Sequence, residues 1–222
     1  MIDFELETMI SQQLVGRGVT DQRVLSAFRL VLRKQFAPDY LESKAYADVE
    51  LPIGLGQTIS SPYVMAKMLE EARLPEGGRI LEIGTGSGFQ AALMSRLVKD
   101  VYTVEVLPEL AARARKLLMQ VMQIPNIHFH VGDGFYGWSD QAPFDAILVN
   151  GAAAEVPEPL IGQLREGARL VMPIAEHPEA PQSLHVITRL EDGDIETTII
   201  PPERFGGQLT FLEGEFSADF DD

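Results

Sequence analysis

The sequence predicts a doubly wound α/β fold, in which helices cover a mostly parallel sheet. From residue 79 onward, short apolar runs alternate with amphipathic segments, which is the pattern of such a fold. The first of these runs, residues 79 to 83, passes directly into Gly84, Gly86 and Gly88 at alternate positions. Glycine has no Cβ and tolerates positive φ, so the chain can turn sharply there and lie against a ligand.

The N-terminal third is predicted to be helical and then irregular. Residues 3 to about 34 carry apolar positions at helical spacing, with Thr20 as the N-cap of a second helix. Residues 35 to 60 contain prolines and glycines, which indicate a structured loop. Ser61 and Pro62 then predict the start of another helix, since serine is favoured at the N-cap and proline at the first helical position.

Five parallel strands are predicted in the middle of the chain. They are expected at about 79–83, 101–105, 127–131, 145–149 and 168–173, with helices near 88–98, 108–121 and 158–164.

Beyond residue 182 the pattern changes to antiparallel edge strands. Residues 184–187 and 195–200 flank the acidic residues 191–194, which predicts a hairpin. Residues 208–212 are predicted as one more strand, and residues 217–222 as a frayed acidic tail.

The length and composition bound the domain organisation. With 222 residues and 45% hydrophobic content, we expect a single domain over residues 1–222. Its parts would be N-terminal helices and a loop in residues 1–75, a ligand-binding core in residues 76–175, and C-terminal strands with the tail in residues 176–222.

Metal, nucleic-acid and membrane functions are not expected. The sequence has no cysteine, and its four histidines lack metal-ligand spacing, so His128 and His130 are interpreted as ordinary strand residues. A formal net charge of -15 would repel a phosphate backbone. The first residues show no signal peptide, and no stretch approaches the roughly 20 apolar residues that span a bilayer. We therefore expect a cytoplasmic protein.

The glycine loop points to S-adenosylmethionine rather than NAD. Dinucleotide sites use G-x-G-x-x-G, whereas here Phe89 occupies the place of the third glycine. Glu105 ends the second strand of the core, 21 positions beyond Gly84, where an acid can accept both ribose hydroxyls. Asp133, between two glycines after the third strand, suits the exocyclic amine of adenine. An ordinary tight turn is the alternative for the glycine loop alone.

Two of these acids have a plainer interpretation as well. Glu82 ends the first strand of the core and could approach the charged end of the cofactor, or it could be a buried acid that binds loop amides. Asp133 could instead form an Asx-turn after its strand.

The segment before the core carries a more specific signal. Residues 48–62 resemble the signature of the protein-L-isoaspartate O-methyltransferase family. The resemblance continues through residues 81–90, 130–134 and 143–147, and it extends from about residue 20 to about residue 175. The chain is thereby identified as a member of this family. Membership implies the class I methyltransferase version of the fold, which is Rossmann-like, with N-terminal helices and a C-terminal antiparallel strand extension.

The resemblance also implies a reaction. In this family a methyl group passes from S-adenosylmethionine to the free α-carboxylate of an isoaspartyl residue, and S-adenosylhomocysteine is released. The methyl ester cyclises, and opening of the succinimide returns part of the material to normal aspartate, so the family serves in protein repair. The expected partner is a damaged peptide or protein, and the expected oligomeric state is a monomer.

The residue pattern and the resemblance together assign the candidate site. The catalytic residue is Ser60. Cofactor binding is assigned to Gln57, Thr58, Ile59, Glu82, Gly84, Thr85, Gly86, Ser87, Gly88, Gln90, Glu105, Val106, Asp133, Gly134 and Asn150. Substrate binding is assigned to Asp48, Ile53, Gly54, Ser61 and Phe205, and no residue is assigned to a metal.

Ser60 suits a reaction that needs no general base. A carboxylate with a pKa near 4 is already ionised at neutral pH, so catalysis consists of alignment and exclusion of water. A hydroxyl can orient the attacking oxygen. The alternative role for the serines is helix capping, which fits Ser61 better than Ser60.

Three departures from the family pattern bear on the substrate. Residues 204–209 contain Gly206 and Gly207, where the family has a Val-Pro pair whose main chain holds the peptide. Residues 150–153 and 174–176 also differ from the family. Three alternatives therefore remain open: a carboxyl methyltransferase of the same fold for another peptide carboxylate, a noncatalytic S-adenosylmethionine-binding interaction protein, and an NAD-dependent oxidoreductase, which Phe89 disfavours.

Overall fold

The computed structural model describes residues 3–212, which form nine strands and seven α-helices. The strands are β1 (Leu51–Gly54), β2 (Gln57–Ile59), β3 (Arg79–Ile83), β4 (Asp100–Glu105), β5 (Ile127–Val131), β6 (Phe144–Val149), β7 (Leu164–Ile174), β8 (Ser183–Arg189) and β9 (Ile195–Ile200). The helices are α1 (Phe4–Thr8), α2 (Gln22–Leu30), α3 (Pro62–Ala72), α4 (Phe89–Met94), α5 (Pro108–Arg115), α6 (Glu158–Gly162) and α7 (Pro202–Phe205).

Several helices continue into turns of different pitch. A π-helical segment, Met9–Leu14, extends α1, and another, Lys116–Val121, extends α5. Short 3₁₀ turns lie at Arg33–Gln35 and Asp39–Lys44, before β1. None of the described helices is long and apolar enough to cross a membrane.

Seven strands form one sheet in the order β5-β4-β3-β6-β7-β8-β9, and β1 pairs with β2 in a separate hairpin. The first five strands of this order are mutually parallel, β8 pairs antiparallel with β7, and β9 pairs antiparallel with β8. The chain leaves β3 for β4 on one side and returns to β6 on the other. This reversal creates a crevice at the carboxyl end of β3, where α/β folds bind their ligands.

The two faces of the sheet carry separate groups of buried apolar side chains. In β3, Ile80 belongs to the cluster that includes α2, α3 and α4, whereas Leu81 and Ile83 belong to the opposite cluster with α6. Alternation of this kind follows from the two-residue period of a strand. The predicted fold class, a mostly parallel doubly wound sheet with an antiparallel C-terminal extension, is confirmed.

The structure corrects two local predictions in the first half and confirms the helix start at Ser61 and Pro62. The N-cap of α2 is Asp21, not Thr20, because the Asp21 carboxylate accepts from the main-chain N–H of Arg23 and of Val24. The segment 35–60, predicted as a loop, contains the β1–β2 hairpin. Ser61 does precede the first turn of α3, but its side chain makes no capping bond.

Two predictions near the C-terminus also change. Residues 208–212 do not form a strand and instead make an isolated bridge between Phe211 and Ala152. The strand expected from residue 168 begins earlier, because β7 starts at Leu164. The acidic tail at 217–222 lies outside the described residues.

The contact of α2 with α4 provides a test of the core. The buried ring of Phe28 meets the ring of Phe89 edge-on, with centroids 5.9 Å apart. We expect Phe28→Ala to lower the free energy of unfolding by about 3–5 kcal/mol, because it removes a fully buried ring and leaves a cavity. Urea denaturation measures the loss. The control Phe4→Ala, at a side chain 80% exposed, should change stability by less than about 0.5 kcal/mol. Equal losses in the two variants would contradict the assigned core.

Candidate active site

A cavity of about 570 Å³ opens at the carboxyl end of β3, a size typical of small-molecule sites. Six segments of the chain form its walls. The lining residues are Gln57, Thr58, Ile59, Ser60, Met65, Ile83, Gly84, Thr85, Gly86, Ser87, Phe89, Gln90, Val104, Glu105, Val106, Leu107, Asp133, Gly134, Asn150, Leu209, Thr210, Phe211 and Leu212.

The glycine loop forms the floor of the cavity. Gly86 has a φ of +54°, and a Cβ added there would meet only Ile53, at 3.7 Å. Bare main chain therefore faces the cavity at this residue. Gly88 plays a different part, because a Cβ there would lie 2.7 Å from the side chain of Leu118. The third glycine thus allows the start of α4 to pack closely against the helical segment after α5.

Glu105 stands at the end of β4 with its carboxylate turned toward the glycine loop. Its Oε2 accepts from the Gly86 N–H at 2.8 Å, and its Oε1 accepts from the Leu107 N–H at 3.0 Å. The side chain is rigidly held and 5% exposed. A carboxylate has about four lone-pair sites, so two remain for hydroxyl donors in the cavity. The geometry fits the predicted pairing with a ribose.

Glu82 lies behind the cavity wall rather than in it. Its carboxyl group is fully buried, where it accepts from the Thr103 hydroxyl and from Asn150 Nδ2 at 3.1 Å. Thr103 Oγ1 in turn lies 2.6 Å from Thr85 Oγ1. Burial raises the pKa of Glu82 to about 8, against the lowering effect of these hydrogen bonds. Glu82 is therefore mainly neutral at pH 7. It connects Asn150 with Thr85 through Thr103, and both Asn150 and Thr85 line the cavity.

Gln90 places an unpartnered amide beside the cavity. The residue is 3% exposed, and neither its Nε2 nor its Oε1 has a hydrogen-bond partner among the described residues. A buried amide without partners is costly, and such groups are otherwise almost always satisfied. The amide fits a polar ligand that supplies both a donor and an acceptor.

Asp133 and Gly134 close the far side of the cavity. Asp133 Oδ1 accepts from the Phe135 N–H at 2.9 Å, so the alternative Asx-turn interpretation is realised. Its carboxylate lines the cavity as well. A Cβ at Gly134 would lie 2.3 Å from Ile83 Cγ2, so only glycine fits against the end of β3.

Ser60 follows β2 and faces the glycine loop across the cavity. Its hydroxyl makes no hydrogen bond to any described residue, so it is available to a substrate. Ser61 does not line the cavity and occupies the N-cap position of α3. The two adjacent serines therefore differ in role as well as in position.

Most of the predicted site residues lie together in this cavity. These are Ser60 together with Gln57, Thr58, Ile59, Gly84, Thr85, Gly86, Ser87, Gln90, Glu105, Val106, Asp133, Gly134 and Asn150. Glu82, Gly88 and the five predicted substrate residues are not among the lining residues.

The predicted substrate residues have other contacts. Asp48 pairs with Arg17 and accepts from the Tyr63 N–H, so it binds the start of α3. The Ile53 carbonyl accepts from Arg113 at 3.1 Å, and Gly54 lies against the same guanidinium.

The ring of Phe205 is 0% exposed and packs in the core. As with Ser61, its placement therefore does not favour direct contact with a peptide from the cavity.

Several lining residues were not predicted from the sequence. They are Met65, Ile83, Phe89, Val104, Leu107, Leu209, Thr210, Phe211 and Leu212. The C-terminal segment 209–212 reaches the cavity because Ala152 N–H donates to the Thr210 carbonyl and Leu212 N–H donates to the Ala152 carbonyl. No local motif predicts this pairing, because it joins segments that are far apart in the sequence.

The buried acid predicts a pH effect on stability. Because folding raises the Glu82 pKa from about 4.5 to about 8, the native state binds an extra proton between these values, and its stability falls as pH rises through that range. Glu82→Gln mimics the neutral acid, so we expect its stability relative to the native chain to be greater at pH 8.5 than at pH 5. Urea denaturation at both pH values measures the difference. The exposed-site control Glu109→Gln should show no such change, and a pH-independent difference for Glu82→Gln would contradict the prediction.

Comparison with known proteins places this geometry in a family. A profile of the protein-L-isoaspartate(D-aspartate) O-methyltransferase family matches residues 5–205. A protein-L-isoaspartate O-methyltransferase of Anaeromyxobacter dehalogenans (strain 2CP-C) is 48% identical over 196 residues, which cover 88% of this chain and 93% of that protein. A protein of the same name from Picosynechococcus sp. is 48% identical over 179 residues, or 81% of this chain and 80% of the relative.

Two solved structures superpose on this chain over most of its length. A protein-L-isoaspartate O-methyltransferase superposes with a TM-score of 0.78 at 28% identity, over 96% of this chain and 67% of that chain. A putative enzyme of this kind from Plasmodium falciparum, solved in complex with S-adenosyl-L-homocysteine, shares the fold with a TM-score of 0.78 at 23% identity, over 94% of this chain and 98% of that chain. The chain belongs to the protein-L-isoaspartate(D-aspartate) O-methyltransferase family.

Proposed function

We propose that this chain transfers a methyl group from S-adenosylmethionine to the α-carboxylate of L-isoaspartyl residues in damaged proteins or peptides. The observation that carries the proposal is that Ser60 and the glycine loop with Glu105 face one cavity, although they come from separate parts of the chain. Family membership supports both the cofactor and the repair reaction.

The cofactor-binding half of the cavity consists of groups that match S-adenosylmethionine. Glu105 would accept from the ribose hydroxyls, Asp133 from the adenine amine, and the Gln90 amide would find its missing partners on the ligand. When bound, S-adenosylmethionine supplies a methyl group activated by a positively charged sulfur. Because Glu82 is neutral and buried behind the wall, the carboxylates that line the cavity are those of Glu105 and Asp133.

Ser60 would orient the attacking carboxylate. Its free hydroxyl can donate one hydrogen bond to a substrate oxygen and leave the other oxygen ready to attack. The substrate carboxylate is ionised at neutral pH, so no residue has to remove a proton. Among residues 3–212, the cavity wall contains no histidine and no cysteine. Alignment in a site that excludes water supplies the catalysis.

A same-fold carboxyl methyltransferase for a different peptide carboxylate is the second candidate, and one observation favours it. Gly206 adopts a φ of +62° and Gly207 lies against Val64, so the main chain takes a path closed to the family's Val-Pro pair. The noncatalytic alternative has less support, because Ser60 and Gln90 keep unpartnered polar groups at the cavity.

We also propose a single domain that acts as a monomer in the cytoplasm. Both clusters of buried apolar residues pack against one sheet, which supports a single folding unit. The cysteine-free sequence needs no oxidising compartment.

The proposed role of Ser60 predicts that its loss lowers turnover without lowering the affinity for the cofactor product. We expect Ser60→Ala to lower kcat/KM for an isoaspartyl peptide by about 10–100-fold, since one orienting hydrogen bond is lost, and to leave S-adenosylhomocysteine affinity within about twofold. Transfer of labelled methyl from S-adenosylmethionine and calorimetry measure the two effects.

The matched control is Ser61→Ala, which alters the neighbouring serine outside the cavity and should change kcat/KM less than about threefold. The native chain should form a base-labile methyl ester on the isoaspartyl peptide and none on its aspartyl twin. Equal transfer to both peptides, or transfer to neither, would contradict the proposed substrate.

The proposed contact between Glu105 and the ribose leads to a second prediction. Glu105→Gln removes the charge and turns one acceptor into a donor, so we expect S-adenosylhomocysteine to bind about tenfold or more weakly. Isothermal calorimetry measures the affinity, with Glu109→Gln as the exposed control. Unchanged affinity in Glu105→Gln would show that this carboxylate only organises the glycine loop.

A further inference from the structure

Arg33 is buried beneath the loop that carries Ser60. Its side chain is 1% exposed, and no carboxylate forms an ion pair with it among residues 3–212. Burial lowers its pKa to about 10, while the charges of Asp48 and Glu50 act in the opposite direction, so the guanidinium stays charged at neutral pH. A buried charge without an ion-pair partner needs hydrogen bonds instead.

The guanidinium binds only main-chain oxygens. Its two terminal nitrogens donate to five carbonyl groups at distances of 2.8 to 3.4 Å: Nη1 to Ala45 and Ala47, and Nη2 to Val49, Ile59 and Ser60. The first three carbonyls precede the β1–β2 hairpin, the Ile59 carbonyl belongs to the last residue of β2, and the Ser60 carbonyl follows it. One side chain therefore closes both ends of the hairpin.

These bonds reach the cavity directly. Ile59 and Ser60 line it, and their carbonyls lie 3.3 Å and 3.0 Å from Arg33 Nη2. With its carbonyl held on the buried side, the Ser60 residue is fixed in orientation between β2 and α3. The planar guanidinium suits this task, since its donors lie in a fixed fork, whereas a lysine ammonium is a compact point charge.

We infer that Arg33 is a positioning residue, which acts through the Ser60 main chain to hold the serine hydroxyl where the substrate carboxylate is methylated. This inference rests on the proposed function. Arg33 touches neither the cavity nor the reacting groups, so its effect is on alignment and not on chemistry. The glycine loop and Glu105 do not depend on it, because no hydrogen bond joins them to Arg33 or to the five carbonyls.

The test compares Arg33→Gln with Arg23→Gln. Arg23 is the control, because its guanidinium also donates to two main-chain carbonyls, those of Leu74 and Leu97, away from the hairpin, although it is more exposed than Arg33 and pairs with Glu76. Both variants are assayed with saturating isoaspartyl peptide and S-adenosylmethionine at a temperature where circular dichroism shows them folded. Thermal unfolding, calorimetry with S-adenosylhomocysteine, and hydrogen exchange of residues 45–60 complete the set.

For Arg33→Gln we expect kcat to fall at least about tenfold, S-adenosylhomocysteine affinity to stay within about threefold, and amide protection in residues 45–60 to drop. Arg23→Gln should lower Tm and leave kcat within about twofold. A folded Arg33→Gln protein with native kcat and native protection would overturn the inference, and so would an equal loss of kcat in Arg23→Gln.

Arg33→Lys covers the case in which Arg33→Gln does not fold. It keeps the charge but loses the fork, so we expect kcat to fall at least about threefold and protection to drop in residues 45–60. Native values for both would overturn the inference. If the native chain methylates neither peptide, the proposed function fails on its own. In that case hydrogen exchange tests the positioning role of Arg33. Unchanged amide protection of residues 45–60 in Arg33→Gln would reject it.

Discussion

The position of the glycine loop depends on two main-chain hydrogen bonds at the end of β3. The Gly84 N–H donates to the Val104 carbonyl at 2.8 Å, and the Asn150 N–H donates to the Ile83 carbonyl at 2.8 Å. They attach the end of β3 to β4 on one side and to the residue after β6 on the other. Because α4, which follows β3, and α6, which follows β6, pack on opposite faces of the sheet, a crevice opens at the loop after β3. The rest of the cavity is assembled around this opening.

The same strand ends hold two acids in different states. Glu82 and Glu105 lie on adjacent strands, and the charge of Glu105 adds to burial in raising the pKa of Glu82. Glu105 receives two main-chain N–H donors and lines the cavity, whereas Glu82 receives side-chain donors and does not line the cavity. The neutral acid Glu82 connects the wall behind the cavity. This division limits the negative charge in a small space.

The sequence was informative wherever structure depends on neighbours along the chain. The period of the apolar runs predicted the strands of the sheet, and the glycine spacing located the floor of the cavity. Prediction from the sequence failed where a contact between residues distant in sequence determines the local structure. Gly88 has the same local pattern as Gly86, but only the packing of Leu118 shows that it faces a helix. Asp21 rather than Thr20 caps α2, because the Thr20 N–H and hydroxyl both donate to Glu70.

The departures from the family pattern lie in three segments, two of which are hydrogen-bonded to each other. A Cβ at Gly206 would lie 2.9 Å from Arg17, and a Cβ at Gly151 would lie 2.4 Å from Leu212. The segment 174–176 lies beside residues 150–153, since the Ala175 N–H donates to the Ala153 carbonyl. Gly151, Ala152, Ala153 and Ala175 are buried, whereas Gly206 is exposed. The segments 150–153 and 174–176 therefore pack together inside the protein, and the Gly206 segment, which lies against Arg17, is the altered segment at the surface.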